Sequence, residues 1–170
     1  MLLLMDNLAT HQEPSLTWSD ALMLDLDFMD DTHREFVDLL AASETADDER
    51  LLDHFAALIE HTEDHFGRED RWMQATRFSS INCHTTQHQV VLQVMHEGLK
   101  RGREQGDLKI VRLMVKELGV WFPQHAQTMD AALALHLRSV GYDEKTGHML
   151  SPHALPDQEI HGCGGSSCSS

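Results

Sequence analysis

No stretch of this 170-residue sequence is apolar for long enough to cross a bilayer, which takes about 20 such residues in a row. The apolar opening, Met1-Leu2-Leu3-Leu4-Met5, ends at Asp6 and has no basic flank. It makes a poor signal peptide, so the expected compartment is the cytoplasm. Cationic side chains are scarce: 13 Lys and Arg stand against 28 Asp and Glu, a formal net charge of −15. Such a surface repels nucleic acid and anionic membranes, and neither is expected as a partner. Cys83, Cys163 and Cys168 are too few and too unevenly placed for a disulfide framework. Strand-like alternation is missing as well, which leaves an all-α class.

Histidine is what the chain has in excess, with 13 residues, as many as Lys and Arg combined. Its neutral imidazole offers a lone pair near neutral pH and is the commonest side-chain metal ligand. The acidic balance also suits a cation binder.

Four helices can be read from the apolar spacing. Asp30 is a plausible N-cap for the first, which runs to about Ser43 and carries His33 on the same stripe as Phe36, Val37 and Leu40. The second starts near Asp47, with Asp48 and Glu49 at its positive end. Its inward positions are Leu51, Phe55, Leu58, Thr62, His65, Glu69 and Met73, close to a bundle heptad. A turn over 76–82 leads to a third helix that places His84, His88, Val91, Leu92, Met95 and Leu99 on one face, with Gly102 and Gly106 at its end. The fourth runs from about Asp107 to Val140 and stops at Gly141. Short connections favour antiparallel neighbours. The expectation is an antiparallel up-down four-helix bundle over residues 30–142, with an extended lead-in over 1–29 and a flexible tail over 143–170.

Polar residues at core positions are the informative anomaly. With 13 histidines a His-x-x-x-His pair arises by chance about once, so His84/His88 alone shows little, and His61/His65 is a second such pair. The spacing nevertheless sends both rings from one side of a helix toward one ion. Taken together, His33 on the first helix, His65 and Glu69 on the second, His84 and His88 on the third, and His125 and Asp130 on the fourth send ligands to one axis. Nitrogen-plus-carboxylate sets of this kind suit iron, and bundle cores are where di-metal sites are built.

The segments Asp30-Asp31-Thr32-His33, His65-Phe66-Gly67-Arg68-Glu69-Asp70-Arg71-Trp72-Met73, His84-Thr85-Thr86-Gln87-His88 and Trp121-Phe122-Pro123-Gln124-His125, followed by Asp130, resemble the ligand motifs of the hemerythrin family, in the family's order. The resemblance covers roughly residues 18–140. It implies a non-catalytic protein with two Fe ions and no porphyrin, in which His84, His88 and His125 ligate one iron and His33 and His65 the other. Glu69 and Asp130 would bridge the pair beside an oxo or hydroxo group. The implied partner is dioxygen or a similar small diatomic ligand, carried, stored or sensed by a monomer or small homo-oligomer. A di-iron enzyme or repair protein acting on peroxide or nitric oxide, or handling iron, is the alternative reading. Trp121, Phe122, Ala126 and Met73 are expected to line the oxygen pocket and to belong to the core as well.

Several residues read more plainly. His54, His96 and His136 match no motif position and are expected at the surface, and His61 at the rim, with a supporting hydrogen bond as the other possibility. Cys83 is expected to pack, and Cys163 and Cys168 to lie in a Gly-Ser tail. Two departures from the family pattern matter. Ala126 stands where relatives commonly carry a larger aliphatic, which should widen the approach to the open iron and speed autoxidation. Pro123 lies inside the fourth helix and crowds the carbonyl of Gly119. His125 and Asp130 are five apart, about 140° out of line on a regular helix. A wide turn or kink is therefore expected over 123–130.

Overall fold

The structure is a computed structural model, and it describes residues 13–78 and 83–160. Met1–Met5, Cys163, Cys168 and residues 79–82 of the expected turn lie outside the described residues. Helix α1 spans Asp27–Thr45, α2 Leu51–Ala75, α3 Cys83–Gln105, α4 Leu108–His125 and α5 Ala131–Val140. A π-helical turn, Ala126–Asp130, joins α4 to α5 so that the two form one rod. Helix α1 packs on α2 and α4, and α3 on α2 and α4, which closes a four-helix bundle. No helix among the described residues is long and apolar enough to cross a membrane.

Helix boundaries shift slightly from the sequence expectation. The first helix opens at Asp27 rather than at Asp30, because the Asp30 carboxylate reaches backward. It accepts the N–H groups of Leu24 at 2.8 Å and Leu26 at 3.3 Å and so ties the lead-in to the first turn. Asp47 instead precedes its helix and closes a turn, accepting the Arg50 N–H at 3.0 Å before α2 begins at Leu51. Gly102 does not end α3. The helix continues to Gln105, and Gly106 takes the left-handed conformation at φ 66°. Asp107 caps α4 by accepting the Ile110 N–H, and left-handed Gly141 stops α5 as expected.

The lead-in is fastened along the bundle. Ser15 donates to the Glu44 carboxylate, the Arg34 guanidinium sits 4.7 Å over the Trp18 ring, and the Gln127 amide donates to the Ala21 carbonyl. At the other end, Tyr142 bridges Met149, and Leu150 N–H donates back to the Gly141 carbonyl at 3.1 Å.

The apolar interior divides into two parts. One is built from Phe36, Leu40, Phe55, Leu58, Met95, Leu118 and Phe122, the other from Met29, Trp72, Met73, Phe78, Leu133 and Leu137. Between them, on every helix, the buried positions are polar: His33 on α1, His65 and Glu69 on α2, His84 and His88 on α3, and His125 and Asp130 at the α4–α5 junction.

Gly102 lets α3 close onto its neighbours. A Cβ there would stand 2.6 Å from Leu52 Cδ2 and 3.0 Å from Val111 Cγ2. Gly102→Leu is therefore expected to cost about 1–3 kcal/mol through overpacking. Denaturant titration of the metal-free variant checks this, and an unchanged midpoint would contradict the close approach.

Candidate metal centre

Every helix reaches the polar band through its own apolar stripe, so the seven side chains are buried whatever their chemistry. On α2 the spacing of four puts His65 and Glu69 on one side. On α3 the same spacing does so for His84 and His88. On the fourth rod the ligand positions are five apart rather than four, and the π turn absorbs the extra residue: the Ala131 N–H donates to the Ala126 carbonyl, five residues back. That widened turn brings His125 and Asp130 to the same centre, as expected from their spacing.

The structure brings all seven of these residues together in two overlapping groups. One contains Glu69, His84, His88, His125 and Asp130, the other His33, His65, Glu69 and Asp130. Each carboxylate divides its oxygens between the groups. Asp130 Oδ1 lies 2.9 Å from His84 Nε2 and 3.1 Å from His125 Nε2, while Oδ2 lies 3.3 Å from His33 Nε2. Glu69 Oε2 lies 3.3 Å from His88 Nε2 and 3.4 Å from His84 Nε2, while Oε1 lies 3.2 Å from His65 Nε2.

Apart from the His65–Glu69 contact, these are not ordinary hydrogen bonds. Both nitrogens of His33 and His84, both Asp130 oxygens and Glu69 Oε2 have no aligned hydrogen-bond partner although buried, a state that natural proteins rarely leave without a reason. His88 and His125 sharpen the point. The Nδ1 of His88 faces Asp70 Oδ1 at 3.2 Å, and that of His125 faces Gln87 Oε1 at 3.3 Å. Rings held that way carry the proton outward and the lone pair inward. Yet their Nε2 atoms face each other at 3.2 Å, which requires a cation or a proton between them. Metal donors about 2.1 Å from an ion, at right angles, stand about 3 Å apart. The donor set therefore fits metal, and imidazole with carboxylate suits iron among the candidates.

The electrostatics agree. Burial works against ionising Glu69 and Asp130, and Asp130 works against it at Glu69. The facing histidines outweigh both effects and hold the two carboxyls well below the usual carboxylate range. In return, burial draws the His84 pKa down but Asp130 and Glu69 drive it up to about 10. His33, through Asp130, and His88, through Asp70 and Glu69, are raised against the same burial. His65 alone of the shifted cluster rings is lowered, because burial prevails over Glu69. Two buried negative charges thus demand positive charge, which protons or metal ions can supply.

The expected lining residues surround this band. The Phe122 ring meets His33 edge-on at 5.1 Å, and Trp121 stacks on His125 at 4.4 Å. Ala126 and Met73 are fully buried, one in the π turn and the other in the apolar half beyond it. Asp70 and Gln87 escaped the sequence reading, although each directly follows or precedes a cluster residue. His61 is half-buried and its Nε2 donates to the Thr32 carbonyl at 3.2 Å, so it makes a supporting contact next to His33. His96 is exposed beside Glu63.

Two expectations are corrected. His136 is buried, not at the surface; its Nε2 donates to the Thr76 carbonyl at 2.9 Å and its ring packs on Phe78. Cys83 does more than pack, being disulfide-bonded.

Residues 24–135 match the family model described as the hemerythrin HHE cation binding domain. The chain is also 36% identical over 132 residues to a bacteriohemerythrin of Ralstonia nicotianae, covering 78% of this chain and 96% of that protein. No solved structure matches.

His136→Phe should leave the Thr76 carbonyl unpaired at a cost of about 1–3 kcal/mol while metal content stays unchanged. Thermal melting beside metal analysis tests this. A parallel loss of bound metal would instead join His136 to the centre.

Proposed function

The chain belongs to the hemerythrin family, and on that footing we propose that its buried cluster holds two non-haem iron ions and binds dioxygen, or a similar small diatomic ligand, reversibly. The observation that carries this reading is the division of Glu69 and Asp130, each with one oxygen toward the three-histidine group and one toward the two-histidine group. Carboxylates so placed suit a bridge between two ions. His84, His88 and His125 would serve one ion, and His33 and His65 the other. The second set is one nitrogen short, so the diatomic ligand is expected on the His33/His65 side. The iron pair, when bound, supplies the electrons and the open coordination position that dioxygen needs.

The chain's own residues set the conditions. Asp70 and Gln87 hold the His88 and His125 rings with their lone pairs inward. Phe122, Met73 and Ala126 are fully buried around the band and keep water from it, which favours return of the ligand unchanged over its loss in a reduced form. Together with the relative's name, bacteriohemerythrin, this supports reversible binding over turnover.

Iron-loaded, reduced protein is the material for the test. Metal analysis is expected to give two irons per chain, and air should produce a new visible band that disappears under argon. Irreversible bleaching, with turnover of added peroxide or nitric oxide, would replace the binder with an enzyme. About one zinc and no iron would overturn both. Asp70→Asn is expected to weaken iron retention roughly tenfold against a chelator while leaving the helical content intact, and unchanged retention would remove Asp70 from the supporting role.

A further inference from the structure

The outer side of α3 and α4 is unusually apolar. Val90, Val94, Leu113 and Val120 lie there, four of the eight large apolar side chains that are exposed among the described residues. Leu113 is 52% exposed and Val120 66%. Between the two helices runs a groove of about 340 Å³, lined in part by Val91, Met95, Ile110, Met114 and Trp121, with Glu117 as its one charged group. A contiguous apolar surface rimmed by charge marks an interaction site, and methionines in its floor adapt to what settles on them.

The charges say which partner fits. Residues 83–125 carry six of the chain's 13 Lys and Arg but only four of its 28 Asp and Glu. The rest of the chain is strongly acidic, so two copies repel one another least across this face. On α4, Lys109, Glu117 and Val120 point within about 40° of the direction of Leu113, and all four are exposed. The cations beside them are already engaged, Arg101 with Asp107 and Arg112 with Asp48. Lys109 and Glu117 have no ion-pair partner among the described residues. They stand four positions before and four after Leu113 and are opposite in sign. A two-fold axis at Leu113 therefore sets each against the other in a second copy.

We infer that the α3–α4 face binds a second copy of this chain, forming a symmetric dimer in which the two α4 helices run antiparallel and meet at Leu113. Each Leu113 enters the partner's groove. Lys109 of one copy faces Glu117 of the other, and symmetry makes the pair twice. Val120 comes over Gly106 of the second copy, where even an added Cβ would meet nothing within 4 Å. Other antiparallel registers are disfavoured. An axis at Glu117 sets that carboxylate against itself, and an axis at Ile110 sets Leu113 against Asp107. The filled groove covers Trp121, whose ring stacks on His125 at 4.4 Å, so the dimer also closes the bundle outside the three-histidine group. The interface stands on the surface of α3 and α4 and does not depend on which metal the cluster holds.

Sedimentation equilibrium of the full chain across the micromolar range is the test. The parent is expected to approach twice the 19.3 kDa of one chain. Leu113→Asp should sediment as a single chain over the same range with its helical circular dichroism unchanged, because Leu113 is exposed. Lys109→Glu and Glu117→Lys should each weaken association about tenfold, since a favourable pair becomes a repulsive one at two places. Combined in one chain, the two changes rebuild both pairs with their signs exchanged and should restore the parent affinity. A parent that stays monomeric throughout, whatever else takes the groove, overturns the inference. So does a dimer that survives Leu113→Asp, or one that persists in denaturing detergent until a thiol is added. A double variant no tighter than the single ones would overturn the antiparallel register at Leu113.

Discussion

Two carboxylates and five imidazoles share one buried volume, and the molecule is organised around that fact. Glu69 and Asp130 are wholly enclosed and held ionised. Burying such a pair without positive charge would cost several kcal/mol per ion. The band of ligating groups therefore cannot be a passive part of the interior. It cuts the apolar core into an upper and a lower half, and neither half reaches across it. A cation in the band would hold the four helices together at the level where the polar groups meet.

The periphery compensates for that division. The lead-in bonds to α1 through Glu44 and Asp30 and to the fourth rod through Gln127 and Arg138. The C-terminal segment ties α5 back to the α2–α3 connection through Arg77. Both straps span helices that meet at the polar band. They contribute stiffness outside the bundle where packing inside is interrupted. Histidines away from the band follow the same logic in small: His136 fixes the Thr76 carbonyl at the start of that connection.

The order of the helices and the seven side chains that meet were legible because two patterns coincide in them. An apolar stripe says which face is inward, and a His, Glu or Asp on that stripe contradicts burial unless something compensates. Residues that work sideways were not legible. Asp70 and Gln87 lie off the stripe, and nothing in their spacing says that the neighbouring ring turns toward them. His136 was misjudged because it falls outside the motifs, yet it sits three residues after Leu133 and one before Leu137, both in the core. Helix starts moved by three or four residues because Asp30 and Asp47 bond backward or close a turn, and a carboxylate's type does not reveal which way it bonds. That Cys83 is disulfide-bonded was beyond reach, since neither its residue type nor its spacing says so.

The π turn leaves a mark along the whole fourth rod. One stripe of its buried positions runs Val111, Val115, Leu118, Phe122, Ala126, Asp130, Leu133, Leu137 and Val140. The steps are four, three, then three fours in a row, then three, four, three. A bundle heptad alternates threes and fours, so the middle four of that run is one residue too many. Everything after Ala126 is consequently out of phase with everything before it. A regular bundle helix with one residue inserted has this pattern. Any alignment of this rod to an ideal bundle helix must open a gap beside Ala126, or every later core position is assigned to solvent.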